Sequence, residues 1–128
     1  MSVTREVLID SAGPIEQLAQ ELNAALVLDV PLTIQKVGSA SDSWLIAEGR
    51  AGPYPLVLMD AMHLDAETRR GLGWILELHC GIRPGEAYSA YDVRCDADAV
   101  AMMQEIATAL RTRCVALSNL QSFLGEAP

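Results

Sequence analysis

The spacing of the apolar residues changes along this chain, and that change most constrains the fold. Apolar side chains in 15–26 recur at intervals of three and four, which predicts one face of a helix that opens at Pro14. Three short apolar segments follow at 32–37, 44–48 and 55–59, separated by turns that contain glycine, and each has the length and pattern of a strand. Short turns between successive strands predict an antiparallel meander.

The second half of the chain predicts a helix, a strand and a further helix. Asp65 can cap a helix over 66–80, because its carboxylate can accept hydrogen bonds from the first-turn amides. Residues 88–94 alternate as one strand. Asp96 or Asp98 is then expected to cap a long last helix that runs to about Leu124.

These elements predict a single α+β domain over residues 1–128. An antiparallel sheet is expected to be flanked by three helices in the order (β)αβββαβα, and Val7–Asp10 has room for the bracketed strand. The length of 128 residues and the apolar content of 51% suit one domain with one core.

Acidic residues outnumber basic ones by 17 to 9, so the formal charge is −8. With Lys36 as the single lysine there is no basic stripe for phosphates, which argues against nucleic acid or an anionic membrane as a partner. A cationic protein surface is the better electrostatic match. Charged residues near the start and the absence of a long apolar run predict neither a signal peptide nor a membrane span.

The cysteines and histidines predict no metal site, and no cofactor is expected. Cys80, Cys95 and Cys114 are odd in number and widely spaced, without the CxxC separation of redox or zinc motifs. Free thiols of this kind favour a reducing compartment, the cytoplasm. No GxSxG motif or glycine-rich phosphate loop is present, and helix capping explains Asp96 and Asp98 without a ligand. We therefore predict no catalytic residues.

In order, size and apolar character, four segments look similar to the elements of the class I type III secretion chaperones of bacterial pathogens. The segments are IEQLAQELNAAL, VPLTIQKV, YPLVLMDAMHLDAETRRGLGWILELH and DAVAMMQEIATALRTRCVALSNLQSFL. The resemblance implies a non-enzymatic homodimer that holds a segment of a secreted effector protein in an extended, unfolded state. Strand addition to an apolar sheet could accommodate such a segment.

The resemblance also implies two sets of contact residues. Partner contact is expected on the meander, at Leu32, Ile34, Trp44, Ile46 and Tyr54. Dimerisation is expected through the second helix and the strand after it, at Leu72, Trp74, Ile75, Leu78, Tyr91 and Val93. The same residues would also suit an ordinary core.

Two alternatives remain open from the sequence. An immunity protein that blocks the basic active site of a cognate toxin would have the same acidic balance, but it would bind a folded domain. A small ligand-binding or enzymatic α+β domain would need a pocket that joins at least three of His63, His79, Asp92 and Tyr91.

Overall fold

The structure, a computed structural model, describes residues 3–62, 64–119 and 122–128. In chain order, these residues form β1 (Val3–Ile9), α1 (Ile15–Ala25), β2 (Val30–Gly38), β3 (Ser43–Ala51), β4 (Tyr54–Asp60), α2 (Ala66–Arg69), β5 (Trp74–Cys80), α3 (Tyr88–Leu110), β6 (Cys114–Ser118) and β7 (Ser122–Ala127).

The described strands form one sheet in the order β2-β3-β4-β5-β1-β6-β7, and all paired neighbours are antiparallel. The first strand lies inside the sheet, paired on both sides: Val7 is opposite Leu76 of β5 on one side and Ala116 of β6 on the other. The predicted α+β class, with an antiparallel sheet and three helices, is confirmed, although the sheet has more strands than expected.

Helices α1 and α3 cover one face of the sheet. Val7 and Ile9 of β1 point into the main core with them, and Leu8 points to the opposite face. A smaller cluster on that face includes Leu72 and Ile75. Alternate side chains of a strand face opposite sides of the sheet. Because both sides are covered, the interior strands carry apolar residues at odd and at even positions.

The helix predicted over 66–80 is wrong beyond its first turn. Asp65 does cap it, accepting a hydrogen bond from the Thr68 amide at 2.7 Å, but the helix ends at Arg69. Arg70 and Gly71 both have positive φ, which stops the helix. Residues 74–80 form β5 instead, because pairing with β1 and β4 satisfies its backbone on both sides.

The elements predicted after residue 87 also need correction. Residues 88–94 are the start of α3 and not a strand, and the last helix ends at Leu110 instead of about Leu124. Arg111 has φ 52°, and a hairpin of β6 and β7 follows. Cys114–Leu117 is buried on both faces of the sheet, so its apolar run has no alternation to distinguish it from a helix.

Candidate protein-binding groove

An apolar groove lies at the end of the sheet where β3 begins and β4 ends. Its volume is about 610 Å³. The lining residues are Ile15, Trp44, Leu45, Met59, Asp60, Met62 and Trp74. Antiparallel pairing places Asp60 opposite Trp74, and the first turn of α1 supplies Ile15. The groove therefore depends on the sheet and a helix packed against it.

Several large apolar side chains of the groove are open to solvent. Trp44 is 55% exposed, Leu45 39% and Met62 62%. Single exposed apolar residues are common, but a contiguous set around a concavity is typical of a binding site. Tryptophan offers a large rigid contact area and methionine adapts its shape to a partner, so both are frequent at protein contacts.

The two tryptophans of the chain are held in different ways. Trp74 is half-buried against the core, and its Nε1 donates a hydrogen bond to the Ser11 carbonyl at 3.1 Å. Trp44 pairs with Val37 across the β2–β3 hairpin and lies against Gly38. A Cβ on Gly38 would come within 2.8 Å of Trp44 Cζ3. The side chain of Trp74 is therefore held in place by a hydrogen bond and the core, whereas the side chain of Trp44 is exposed to solvent.

The groove combines these apolar walls with negative charge. Of its described lining residues, Asp60 is charged and the others are apolar. Asp60 Oδ1 accepts the Met62 amide hydrogen at 2.6 Å. Arg69 of α2 does not line the groove, but its Nη1 donates to Sδ of the lining residue Met62 at 2.6 Å.

The residues predicted to contact a partner are mostly inside the molecule. Trp44 lines the groove, but Leu32, Ile46 and Tyr54 are 5, 8 and 5% exposed. Ile34 is partly buried and packs against the main core. Side chains enclosed to this extent contact a partner only if the sheet opens locally, which leaves Trp44 as the accessible member of the set.

The edge of β2 is partly occupied by a side chain of α1. Asn23 Nδ2 donates to the Leu32 carbonyl at 3.1 Å, and Asn23 Oδ1 accepts the Leu32 amide hydrogen at 2.7 Å. These bonds use backbone groups that an added strand would need, so they shorten the length of β2 available for strand addition.

The residues predicted to form the dimer interface lie in three places: the core, the groove and the surface of α3. Four are enclosed in its core: Leu72, Ile75, Leu78 and Tyr91. Trp74 lines the groove, and Val93 is 68% exposed on α3. They do not form one surface because residues 72–78 are not on a helix.

A polar network lies at the opposite end of β4 from the groove. Arg94 donates to the Glu86 carboxylate at 2.8 and 2.9 Å, and its Nη1 donates to the Tyr54 hydroxyl at 2.6 Å. The Tyr54 hydroxyl donates in turn to Asp98. The Arg94 hydrogen bonds lower the pKa of Glu86 to about 2, while burial and the bond to Asp98 raise the pKa of Tyr54. The network holds α3 on the sheet.

A buried arginine on β1 forms a second polar link to α3. Arg5 is 1% exposed, and it donates through Nη2 to Asp92 and through Nε to Asp96, both at 2.6 Å. Burial disfavours its charge, but the hydrogen bond and charge of Asp96 outweigh that cost and raise the pKa of Arg5.

The prediction that Asp96 or Asp98 caps the last helix is wrong, because both lie within α3. Instead, Asp96 pairs with Arg5, and Asp98 accepts from Tyr54. One sequence signal pointed to such a pair: the apolar strand around Val7 contains an arginine, and buried charges are paired in proteins.

The cysteine thiols are buried and reduced. Burial and a hydrogen bond with the adjacent Cys95 thiol raise the pKa of Cys80 to about 12, and burial raises the pKa of Cys114 to about 12. At neutral pH, Cys80 and Cys114 are therefore protonated thiols, which are poor nucleophiles. Their positions agree with a packing role.

The residues proposed for a small-ligand site do not converge. His79 shares the sheet face of Glu77, with Nε2 3.5 Å from Glu77 Oε1, whereas Tyr91 and Asp92 lie on α3 across the sheet. His63 lies outside the described residues. Among the three residues that are described, the sheet separates the imidazole from the other two.

In the ranges given above for the fold, no group of three or more His, Cys, Asp or Glu side chains is placed to hold a metal ion. None of the helices in these ranges combines the length and apolar character needed to cross a bilayer. No protein-family model, curated protein or solved structure matches the chain.

Proposed function

We propose that this chain is a non-enzymatic, acidic protein-binding module and that the groove around Trp44 is its contact site. The observation that carries the proposal is the contiguous exposed apolar surface of Trp44, Leu45 and Met62 around a concavity. Burying such a surface against a partner is favourable by about 25 cal/mol per Å² of apolar area.

The charge of the chain indicates the kind of partner. A formal charge of −8, with Asp60 in the groove itself, favours association with a basic protein and disfavours acidic ones. The buried free thiols of Cys80, Cys95 and Cys114 suit a reducing compartment, and we propose that binding takes place in the cytoplasm.

In the form that the chaperone resemblance implies, the partner is a secreted effector with one segment held unfolded. Trp44 and Met62 would receive apolar side chains of that segment. Because Leu72, Ile75, Leu78 and Tyr91 are enclosed in one chain, a homodimer would use other surfaces, and Val93 on α3 is an accessible candidate.

A second form, neutralisation of a folded toxin, is favoured by the position of the groove. The groove lies at one end of the sheet, and its carboxylate is Asp60. A folded basic domain could insert one side chain there without unfolding, whereas a long extended segment would need apolar surface along the strands.

Photo-crosslinking in the native host tests the proposal. A photoreactive phenylalanine analogue replaces Leu45, at the rim of the groove, and the crosslinked protein is identified by mass spectrometry. We expect one protein to be captured, with capture reduced by Trp44→Ser and retained in Val27→Ser. Val27 is a suitable control because it is 93% exposed and lies beside the other end of β2.

The site of the crosslink on the partner distinguishes the two forms. A crosslink in a terminal, otherwise unfolded segment supports the effector form, and one in a compact catalytic domain supports the toxin form. If Leu45 captures no more protein than the same analogue at Val27, or if the purified chain turns over a metabolite, the proposed function is wrong.

A further inference from the structure

We infer that two copies of this chain associate through β7, with the two β7 strands paired antiparallel and the α3 helices of both copies on the same side of the joined sheet. The inference names a surface for the homodimer that the chaperone form implies, and to that extent it rests on the proposed function. The surface is separate from the contact site at Trp44, because β3 and β7 lie toward opposite edges of the sheet.

The outer edge of β7 is open. β7 pairs with β6 on one side and is the last strand of the sheet. In the part of the chain that the structure describes, no strand or side chain outside β6 hydrogen-bonds to the β7 backbone. Its six residues span about 20 Å, an ordinary length for a paired strand. Unpaired amide and carbonyl groups on such an edge are a template for another strand.

The opposite edge of the sheet, β2, is protected against such pairing. Pro31 has no amide hydrogen to donate, and Lys36 adds a charge to the edge strand. Asn23 hydrogen-bonds to both the amide and the carbonyl group of Leu32. The β7 sequence SFLGEA contains neither proline nor lysine. Of the two edges, β7 is therefore the one suited to a second strand.

An apolar groove lies beside this edge, between α3 and β7. Its volume is about 490 Å³. Val93, at one end of the groove, is 68% exposed, and Leu124 of β7 lies at an irregularity in the β6–β7 register and packs against the main core. The lining residues are Val93, Asp96, Ala97, Val100, Ala101, Gln104 and Leu124. Such a surface gains free energy when a partner covers it.

The geometry of a two-fold axis explains how a second copy would cover the groove. When two identical edge strands pair antiparallel, the axis that relates them is perpendicular to the sheet. Each face of one sheet then continues as the same face of the other. Because α3 contacts both β6 and β7, the two α3 helices would lie on one side of the joined sheet with their grooves turned toward each other.

The charges at this edge favour a second copy over a basic partner. Two chains with a formal charge of −8 repel each other in most orientations. Beside β7, however, the carboxylates are matched within the chain: Glu126 pairs with Arg113 and Asp96 with Arg5, both at 2.6 Å. The exposed Arg70 lies beside β7 and adds positive charge. Another acidic chain therefore meets less repulsion here, and a basic segment would find no unpaired carboxylate among these residues.

Light scattering on the purified chain tests the inference. We expect a dimer that dissociates on dilution. Ala97→Glu places a charge in the groove from an exposed position of α3, and it should raise the dimer Kd at least about tenfold, because the interface would then contain two unpaired carboxylates. Ala109→Glu is the matched control, an exposed alanine of the same helix outside this groove. Its Kd should stay within about twofold of the wild type.

Photo-crosslinking identifies the occupant of the edge. A photoreactive phenylalanine analogue replaces Phe123 of β7, which is 50% exposed. We expect a product of twice the monomer mass that contains this chain alone, both with the purified protein and in the native host. The same analogue at Leu45 is the control and should give little of this product. If Phe123 captures a different protein in place of a second copy, that protein occupies the edge and the inference is wrong.

Three further results would overturn the dimer: a monomer at the highest soluble concentration, equal Kd values for Ala97→Glu and Ala109→Glu, or no more self-crosslinking from Phe123 than from Leu45. Capture of a partner from Leu45 tests the proposed function separately. If Leu45 captures a partner while the chain is monomeric, the function stands and the dimer fails. If the dimer forms and Leu45 captures no protein, the dimer stands and the proposed contact site fails.

Discussion

Arg94 of α3 donates a hydrogen bond to the Tyr54 hydroxyl of β4 across 2.6 Å. The same guanidinium group binds Glu86 in a bidentate manner, and the Tyr54 hydroxyl donates to Asp98. This chain of bonds explains why Tyr54, a predicted partner contact, is 5% exposed: its hydroxyl is part of the link between helix and sheet.

Tyr54→Phe should destabilise the protein by about 1–3 kcal/mol, because it leaves Arg94 and Asp98 with one fewer partner in a partly buried site. Urea unfolding followed by circular dichroism measures the change. Tyr88→Phe is the matched control, since Tyr88 is 61% exposed, and its effect should stay within about 0.5 kcal/mol. Equal losses in the two variants would contradict a role for the Tyr54 hydroxyl.

The pairing of Glu86 with Arg94 predicts a loss of stability in acid. The hydrogen bonds from Arg94 and the Arg83 amide lower the pKa of Glu86 from 4.5 to about 2. A depressed pKa in the folded state stabilises the fold above the unfolded-state pKa, and this contribution is lost as the pH falls from about 4.5 to about 2.

Glu86→Gln should therefore reduce stability at neutral pH and flatten its decline across that acid range. The measurement is a series of urea unfolding curves at different pH values. Glu105→Gln removes an exposed charge from α3, the helix that carries Arg94, and controls for the general effect of net charge. A decline of the same steepness in wild type and Glu86→Gln would contradict the prediction.

The buried Arg5 predicts an unequal response to loss of its partners. Asp92→Asn combined with Asp96→Asn leaves a guanidinium group that is 1% exposed without a carboxylate, and should cost about 3–5 kcal/mol. Arg5→Met should cost less, because the Asp92 and Asp96 side chains are 51 and 38% exposed and can be hydrated. Denaturant unfolding of both variants compares the two losses, and the opposite order would contradict this interpretation.

Gly38 links the β2–β3 hairpin to the groove. It has φ 99°, and an added Cβ would lie 2.3 Å from the Asp42 carbonyl oxygen and 2.8 Å from the Trp44 ring. Gly38→Ala should cost about 1–3 kcal/mol and move the Trp44 ring, which thermal unfolding and tryptophan fluorescence would detect. Gly52→Ala is the control: it also has positive φ, 56°, but has no atom within 4 Å of an added Cβ. A similar fluorescence change in both variants would show that contact with Trp44 is not the cause.

The candidate site was only partly predictable. Trp44 was expected to contact a partner, but Met62 was not, because its exposure depends on how the neighbouring residues Ala61, Leu64 and Leu72 pack on the sheet. Ile46 and Leu32 have the same apolar character as Trp44, yet the fold buries them. An apolar residue on a strand does not reveal whether its sheet face will be covered.

By itself, the sequence determined the amphipathic helix α1, the strands β2 to β4 and the cap at Asp65, because spacing and capping are local properties. Only the tertiary structure decided that Trp74–Cys80 and Cys114–Ser118 are strands. Both flank β1 in the interior of the sheet, where long-range hydrogen bonds stabilise them and burial on both faces removes the alternation that identifies a strand. The groove also depends on the tertiary structure. Its lining residues are spread along the chain from Ile15 to Trp74, and they come together only when the sheet is complete.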